Sequence, residues 1–449
     1  MDDRAFCERA FALALKQGCE AAEMVLREAQ SFSVGVLQGE IDTYSVSRER
    51  SLGLRVQRNG KDGYAATEVP ENPEQLVRAA LDNAISIQSE DGNPMAGPAA
   101  YPPVPTPADA LKDMDAAGKI ALCRALEKAA LGADARVRRT AACKVITEQS
   151  RVRLRNTLGL NALREDAFSA CYVAPIVVGQ AGEAQEGGAF RARGEAADIE
   201  ACAREAVEEA LGQLGAAPVP PGLYRILLRN DAAYSLLAAF SGLFSADAAQ
   251  KGLSLLAGKE GQRIAAACVN LRDDALAALN PRPFDDEGVP AQNKAVVREG
   301  VLVTLLHSLK TAQKAGVRST GNAGRAGGAG GPVGVRPSNF FICPGEAPFD
   351  QLLQALGDGL LITELSGLHA GVNAISGEFS LSAKGFWVRG GKMGPPVKQI
   401  VLSGSFLALL QGIQAVGNDT RYSMPSGACF GSPSLLLGEL RVAGAGKNA

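Results

Sequence analysis

The chain has 449 residues, a formal net charge of −2, 46% hydrophobic and 21% charged residues, and two histidines, His307 and His369. That balance describes a soluble globular protein with ample apolar material for a core and, at roughly 150 residues per domain, about three domains. It lacks the basic footprint of a nucleic-acid binder, and two histidines so far apart exclude a two-histidine zinc helix or a His-rich metal site.

In chain order, the start Met-Asp-Asp-Arg-Ala-Phe-Cys-Glu-Arg has no apolar core of a secretory signal. Asp3–Gln17 reads as an amphipathic helix. Alternating runs around Phe32–Val36, Tyr44–Val46 and Leu52–Val56 predict a four- or five-stranded meander, with Asn59-Gly60 as a hairpin turn. A helix is expected over Glu71–Ile87. The proline-rich stretch Asn93–Pro107 resists helix and central strand and reads as a linker. A second round of the same element order follows. It has a helix over Ala108–Leu131, then strands at Arg136–Ser150, Arg151–Thr157, Glu165–Val178 and Gly187–Arg193. A turn lies at Asn156–Gly159 and a helix over Asp198–Leu214. Gly215–Gly222 is a second proline-rich linker.

The remainder opens with a short buried strand, Tyr224–Leu228. A helix follows, capped by Asn230 or Asp231, whose apolar face carries Leu236, Leu237, Phe240, Leu243 and Phe244. Beyond Gly261 the chain reads as strand-rich, with strands at Lys294–Arg298 and Val301–Leu309, a glycine-heavy loop at Gly316–Gly334 and a helix at Phe349–Gly357. Gln399–Asn418 is the longest uncharged stretch and reads as a strand and a buried helix, not a membrane span. The fold class is α+β: a helix–antiparallel-meander N-terminal half followed by a larger strand-rich C-terminal domain. The expected domains are 1–92, 108–214 and 223–449, with linkers at 93–107 and 215–222. The nine cysteines are scattered, odd in number and never in a Cys-x-x-Cys pair, as in a reduced cytoplasmic protein.

Four features could carry chemistry. The loop Gly321–Gly331 invites phosphate, but no Lys-Ser or Lys-Thr closes it onto a helix, so a flexible or substrate-adjacent loop is the better reading. Asp285, Asp286 and Glu287 could hold a divalent cation; a solvated turn is the simpler account. Cys429, in Ser426-Gly-Ala-Cys-Phe-Gly-Ser432, could be a nucleophile with His369 as its base. His307, in an apolar run, reads as a packed histidine.

An ordered set of motifs goes further. Phe284-Asp-Asp-Glu-Gly-Val-Pro290 is followed by Arg298-Glu-Gly-Val-Leu302, Ser319-Thr-Gly-Asn-Ala323, Ser366-Gly-Leu-His-Ala-Gly-Val-Asn373, Ser376-Gly-Glu-Phe-Ser380, Pro396-Val-Lys398 and Gly417-Asn-Asp419. With Gly53-Leu-Arg55 and Gly63-Tyr64, this set resembles the TldD/PmbA family, formerly called modulators of DNA gyrase. The resemblance covers most of the chain. It implies a subunit of a complex that degrades or processes unfolded or modified peptides, including microcin precursors and an antitoxin. In that family the TldD type carries a His-Glu-x-x-x-His helix that, with a C-terminal Cys, holds zinc. The TldE (PmbA) type lacks the helix motif and pairs with TldD.

The helix that should bear the motif is Asp231–Asp247, which contains no His and no Glu. Cys429 matches the family Cys but lacks partners, and a zinc site needs about three protein ligands. The resemblance therefore implies a TldE-type chain with no cofactor of its own and no catalytic residue. Zinc is expected in a TldD-type partner, as heterodimer, or else the chain forms a homodimer. Neither nucleic acid nor membrane is expected as a partner. Substrate-contacting residues are expected among His369, Gly371, Asn373, Asp285, Asp286 and Glu287, with strand addition as the way to hold unfolded peptide. Two alternatives are an independent Cys hydrolase using Cys429 and His369, and a stand-alone peptide-binding or regulatory homodimer.

Overall fold

The structure, a computed structural model, describes residues 2–86, 92–106, 108–425 and 427–444. Ile87, Pro107 and Ser426, which end or open three of the stretches discussed above, lie outside the described residues. Helix α1 (Asp3–Lys16) starts on Asp2, whose carboxylate accepts from the Ala5 amide. The alternating runs that suggested four or five short strands are parts of very long ones: β1 (Ala21–Leu37), β2 (Glu40–Arg58) and β3 (Lys61–Thr67). Alternation continues through polar stretches such as Ser45–Arg50, so the chain does not turn where its apolar signal fades. Asn59 and Gly60 adopt φ of 51° and 70° between β2 and β3, the backbone that a two-residue hairpin needs. Helix α2 (Pro73–Ser86) closes this part.

The second round behaves likewise. After α3 (Ala116–Ala133), the two runs either side of Ser150 form one strand, β4 (Val137–Asn156), paired with β5 (Asn161–Val178); β6 (Ala184–Glu186), β7 (Ala189–Ala192) and α4 (Ile199–Gly212) follow. β1 and β4 pair antiparallel from Glu23 to Gly35, so both rounds share one sheet of order β3-β2-β1-β4-β5-β6, with β7 on β5. α1 and α2 bury Phe6, Met24 and Leu54 on one end of this sheet. α3 and α4 bury Val34, Val145 and Val173 on the other.

The proline-rich stretch read as a linker is a strap. The Asn93 amide donates to Asp62 Oδ2 at 2.8 Å, and the Tyr101 hydroxyl reaches the Gly288 carbonyl at 3.1 Å. Its ring lies 4.9 Å from that of Phe284. The prolines keep it extended while its carbonyls and side chains tie both ends of the molecule.

The C-terminal part begins with β8 (Gly222–Leu228), α5 (Asn230–Phe240), a 3-10 turn over Ser241–Phe244 and α6 (Ala246–Gln250). The residue before the first turn of α5 is Arg229, with no side-chain cap; Asn230 instead donates to the Asp419 carbonyl. Next come β9 (Leu271–Asp274), β10 (Asn293–Arg298), β11 (Val301–Leu302) and α7 (Leu309–Ala315). The run to Leu309 does not continue as strand, because Ser308 and Thr311 form a capping box that starts α7. The glycine-heavy loop holds a short hairpin, β12 (Ala323–Arg325) and β13 (Val333–Val335). Then follow β14 (Asn339–Ile342), α8 (Phe349–Leu356), β15 (Gly359–Ser366), β16 (Val372–Asn373), β17 (Glu378–Arg389), β18 (Lys392–Ser405), α9 (Phe406–Gln411), β19 (Ile413–Val416), β20 (Arg421–Tyr422), β21 (Cys429–Ser432) and β22 (Leu435–Ala443).

Two sheets result. One has the order β11-β10-β9-β14-β21-β20; the other runs β15-β8-β22-β18-β17-β16, with β15 also pairing β17. That extra pairing closes five strands into a ring, which removes their free edges. α5 lies between the sheets, with Leu236, Leu237 and Phe240 in a core shared with Phe340 and Phe406. Among the described residues no helix is long and apolar enough to cross a membrane.

Candidate functional site

The C-terminal part meets the long-stranded sheet at the turn Phe284–Gly288 and at the β12–β13 hairpin. Side chains alternate along β1. Met24 and Leu26 therefore face the helices, while Glu23, Val25 and Arg27 face the C-terminal part. Val25, Leu154 and Ala162 pack there against Phe284 and Ala329. The hairpin approaches so closely that a Cβ at Gly53 would stand 2.0 Å from the Ala329 carbonyl oxygen, so only glycine fits.

Beside this contact lies a dry charge cluster. Glu23 and Arg55 sit opposite each other on β1 and β2, with side chains 0% and 1% exposed and 3.5 Å apart. Arg55 also lies 3.8 Å from Asp62, and Arg325 of the hairpin pairs with Glu23. Burial opposes the Arg55 charge, yet Glu23 and Asp62 raise its pKa above the usual value. Two cations and two carboxylates cancel here, across two parts of the chain far apart in sequence.

Asp285, Asp286 and Glu287 overturn the expectation of a solvated turn. Asp285 is buried; its Oδ1 accepts from the amides of Glu287 and Val289 and its Oδ2 from Ala323, at 2.9–3.0 Å. These bonds tie the turn to β12. Burial pushes its pKa upward. Glu287 is fully buried and accepts the Leu309 amide at 2.8 Å through Oε2, while Oε1 has no partner. Burial, and then the neighbouring Asp285, push its pKa up to about 8. Asp286 turns the other way, to Arg164 at 2.7 Å. Burial works against its charge, but Arg164 and the Arg325 amide hold it at about 2.

The other expected site residues lie elsewhere. Gly371 and Asn373 line an open groove of about 1020 Å³ along β16–β18, with Ser380, Ser403 and Arg441. His369 is exposed on the preceding turn. The structure thus does not gather the six expected residues: Asp286 lines a different cleft from Gly371 and Asn373. Cys429 is fully buried on β21, donating to the Ser423 carbonyl at 3.4 Å, and burial pushes its thiol up to about 11. A nucleophilic cysteine needs the opposite shift. His307 is buried as expected, with Nδ1 unpartnered, and burial lowers its pKa. Among the described residues no three His, Cys, Asp or Glu side chains are gathered in a way that could hold a metal.

Sequence reasoning missed the Glu23–Arg55–Arg325 cluster. Its signal was present: a charged residue inside each of two apolar runs, Ala21-Ala-Glu-Met-Val-Leu26 and Leu52-Gly-Leu-Arg-Val56.

Three family models match in succession: PmbA/TldA metallopeptidase domain 1 over residues 22–84, the central domain over 109–214 and the C-terminal domain over 221–444. The chain belongs to the PmbA/TldD family. A curated relative, the metalloprotease PmbA of Escherichia coli O157:H7, is 26% identical over 451 residues, covering 96% of this chain and 94% of its own. A solved structure from Thermotoga maritima, described as a proposed modulator of a DNA gyrase, is 34% identical with a TM-score of 0.90, covering 98% of this chain and 100% of its own. TldE from Thermococcus kodakarensis shares the fold at 21% identity with a TM-score of 0.88, covering 98% of this chain and all of its own.

Proposed function

We propose that the chain is the metal-free, peptide-holding subunit of a TldD/TldE-type metallopeptidase, with zinc and the catalytic groups supplied by a TldD-type partner. The observation that carries this reading is helix α5. It packs against β21, the strand of Cys429. The side chains it sends into that core are Leu236, Leu237 and Phe240, all buried. A zinc peptidase needs imidazole or carboxylate ligands and a general base at such a place. α5 carries no His or Glu, its one carboxylate, Asp231, is held by Arg229 at 3.1 Å and Arg421 at 3.2 Å, and Cys429 alone is one ligand.

The groove along β16–β18 suits the holding role. β16 is the last strand of its sheet, so its outer backbone groups can pair with an extended chain irrespective of side chains. Gly371 and Asn373 lie along that groove, which keeps them as substrate-contacting candidates; His369 stands at its approach.

The test is to purify the chain alone and together with a TldD-type subunit from the same genome, then measure bound zinc and cleavage of an unfolded peptide. The expected result is zinc and activity in the complex and neither in the chain alone. One zinc per chain with peptidase activity from the isolated chain overturns the reading.

A further inference from the structure

The glycine-rich hairpin is a motif whose chemistry the peptidase reading does not use. It lines a cleft of about 220 Å³ between the long-stranded sheet and the C-terminal part. Gly328 and Ala329 form one wall, Arg27 and Val152 the sheet side, and Arg282 and Arg336 the side towards Gly427. Gly328 is left-handed at φ 86°, with nothing within 4 Å of where a Cβ would stand, so the backbone lies open to the cleft.

The charges here do not cancel as they do in the adjoining dry cluster. Arg164 is matched by Asp286, and Arg325 by Glu23. Of the remaining carboxylates, Asp166 pairs with Arg193 and Glu165 with Arg151. That leaves Arg27, Arg282 and Arg336 with Glu148 and, for Arg282, a share of Asp286 and Asp273, which are already paired with Arg164 and Lys294. Among the described residues Arg27 and Arg282 make no side-chain hydrogen bond or ion pair. Arg336 bonds only the Arg325 carbonyl, at 2.8 Å. Its stem lies across Gly324, where a Cβ would come within 2.2 Å of Nε, so its place is fixed by packing and not by a counter-ion.

We propose that this cleft is an oxyanion-binding site in which Arg282 and Arg336, with Arg27 at the mouth, receive a carboxylate or phosphate group. Guanidinium groups present paired donors that fit either group, and the volume admits one such group with its first substituent. Burial and the nearby Arg164 cation push the Arg282 pKa below its usual value, the condition an incoming anion relieves. Glycine at the hairpin leaves room for the ligand's backbone or ester. The site stands apart from α5 and does not require the peptidase reading.

The experiment is a thermal-shift and calorimetric titration of the full chain with inorganic phosphate and, separately, with N-acetylalanine as a peptide-terminus carboxylate, against chloride at equal ionic strength. A ligand that binds only the folded chain raises its melting temperature. A rise with phosphate alone identifies a phosphate site; a rise with N-acetylalanine identifies a site for peptide termini. In either case Arg282→Gln and Arg336→Gln should each weaken binding at least about tenfold, the loss of one charge-assisted hydrogen bond. Arg204→Gln, at an exposed position on α4, should bind like the wild type. In chloride Arg282→Gln should melt no lower than the wild type, because burial and Arg164 disfavour this cation by more than Asp286 and Asp273 favour it. No response to either anion, or an undiminished response in both cleft variants, overturns the proposal.

Discussion

Two of the junctions along which the C-terminal part meets the rest of the molecule are built from arginine–carboxylate pairs. At the first, Glu23, Arg55, Asp62 and Arg325 have side chains no more than 8% exposed. At the second, Arg229 of the C-terminal part reaches Glu209 of α4 at 2.5 Å. Arg421 pairs there with Glu205 of α4 and lies 3.2 Å from Asp231. These side chains are 21–30% exposed around a cleft of about 550 Å³. The pair chemistry is shared, but the surroundings differ. In the dry junction each charge has given up water and depends on its partners. In the wetter one, Glu205 and Asp231 each keep a second cation when one leaves. The first junction should therefore fix the arrangement of the molecule, and the second should only bias it.

The largest effect should come from breaking the dry set. Arg55→Met leaves Asp62 without its cation and strips Glu23 of one of two. Removing one partner of a buried ion pair costs roughly 3–5 kcal/mol. A urea titration should show the unfolding midpoint fall sharply, with the first transition involving both the long-stranded sheet and the β12–β13 hairpin. A fall no larger than that of the partly exposed pair would break the contrast between the junctions.

Next in size is a pH effect from Glu287, which borders the dry set. The four neighbouring charges already cancel, so a fifth, negative one has no counterpart. Its folded pKa of about 8 lies above the ordinary 4.5. Between those values the folded chain binds more protons than the unfolded chain, so stability falls as pH rises. The contribution is whole below about pH 4.5 and lost by about pH 8. Glu287→Gln keeps an acceptor for the Leu309 amide and cannot ionise. It should melt like the wild type near pH 5 and several degrees higher near pH 8.5, as read by calorimetry across that range. Equal melting temperatures at both pH values would mean that Glu287 is already ionised in the fold.

How much of this was legible in the sequence follows the same division between local and distant causes. Asn59-Gly60, the Asp2 cap of α1 and the apolar face of α5 are written in neighbouring residues. The lengths of β1, β2, β4 and β5 are not. They rest on pairing between strands such as Glu23–Gly35 and Lys144–Asn156, which carries polar stretches that local alternation would end. The Asp285–Glu287 turn looked solvated because three carboxylates normally seek water. Its burial depends on the Ala323 and Leu309 amides and on Arg164, none of them adjacent in sequence. The absence of His and Glu from α5 needed no structure at all. The arginine cleft needed the fold entirely, since Arg27, Arg282 and Arg336 meet only when the hairpin docks on Gly53.

The smallest effect belongs to the wet junction. Arg421→Gln removes the cation shared by Glu205 and Asp231, yet Arg191 still holds Glu205 at 2.7 Å and Arg229 still holds Asp231 at 3.1 Å. Both carboxylates line an open cleft. Solvent-exposed pairs contribute about 0–1 kcal/mol; at 21–30% exposure, with a second cation left on each carboxylate, the loss should stay on the order of 1 kcal/mol and be partly screened by salt. The variant should shift the urea midpoint slightly at low salt and hardly at all in roughly 0.5 M salt. Arg55→Met, whose partners lie beyond the reach of solvent ions, should keep most of its cost at either salt concentration. Measuring both variants at both ionic strengths separates dry from wet directly: a common salt dependence would show that water reaches Glu23, and a salt-insensitive Arg421→Gln that the second junction closes in solution.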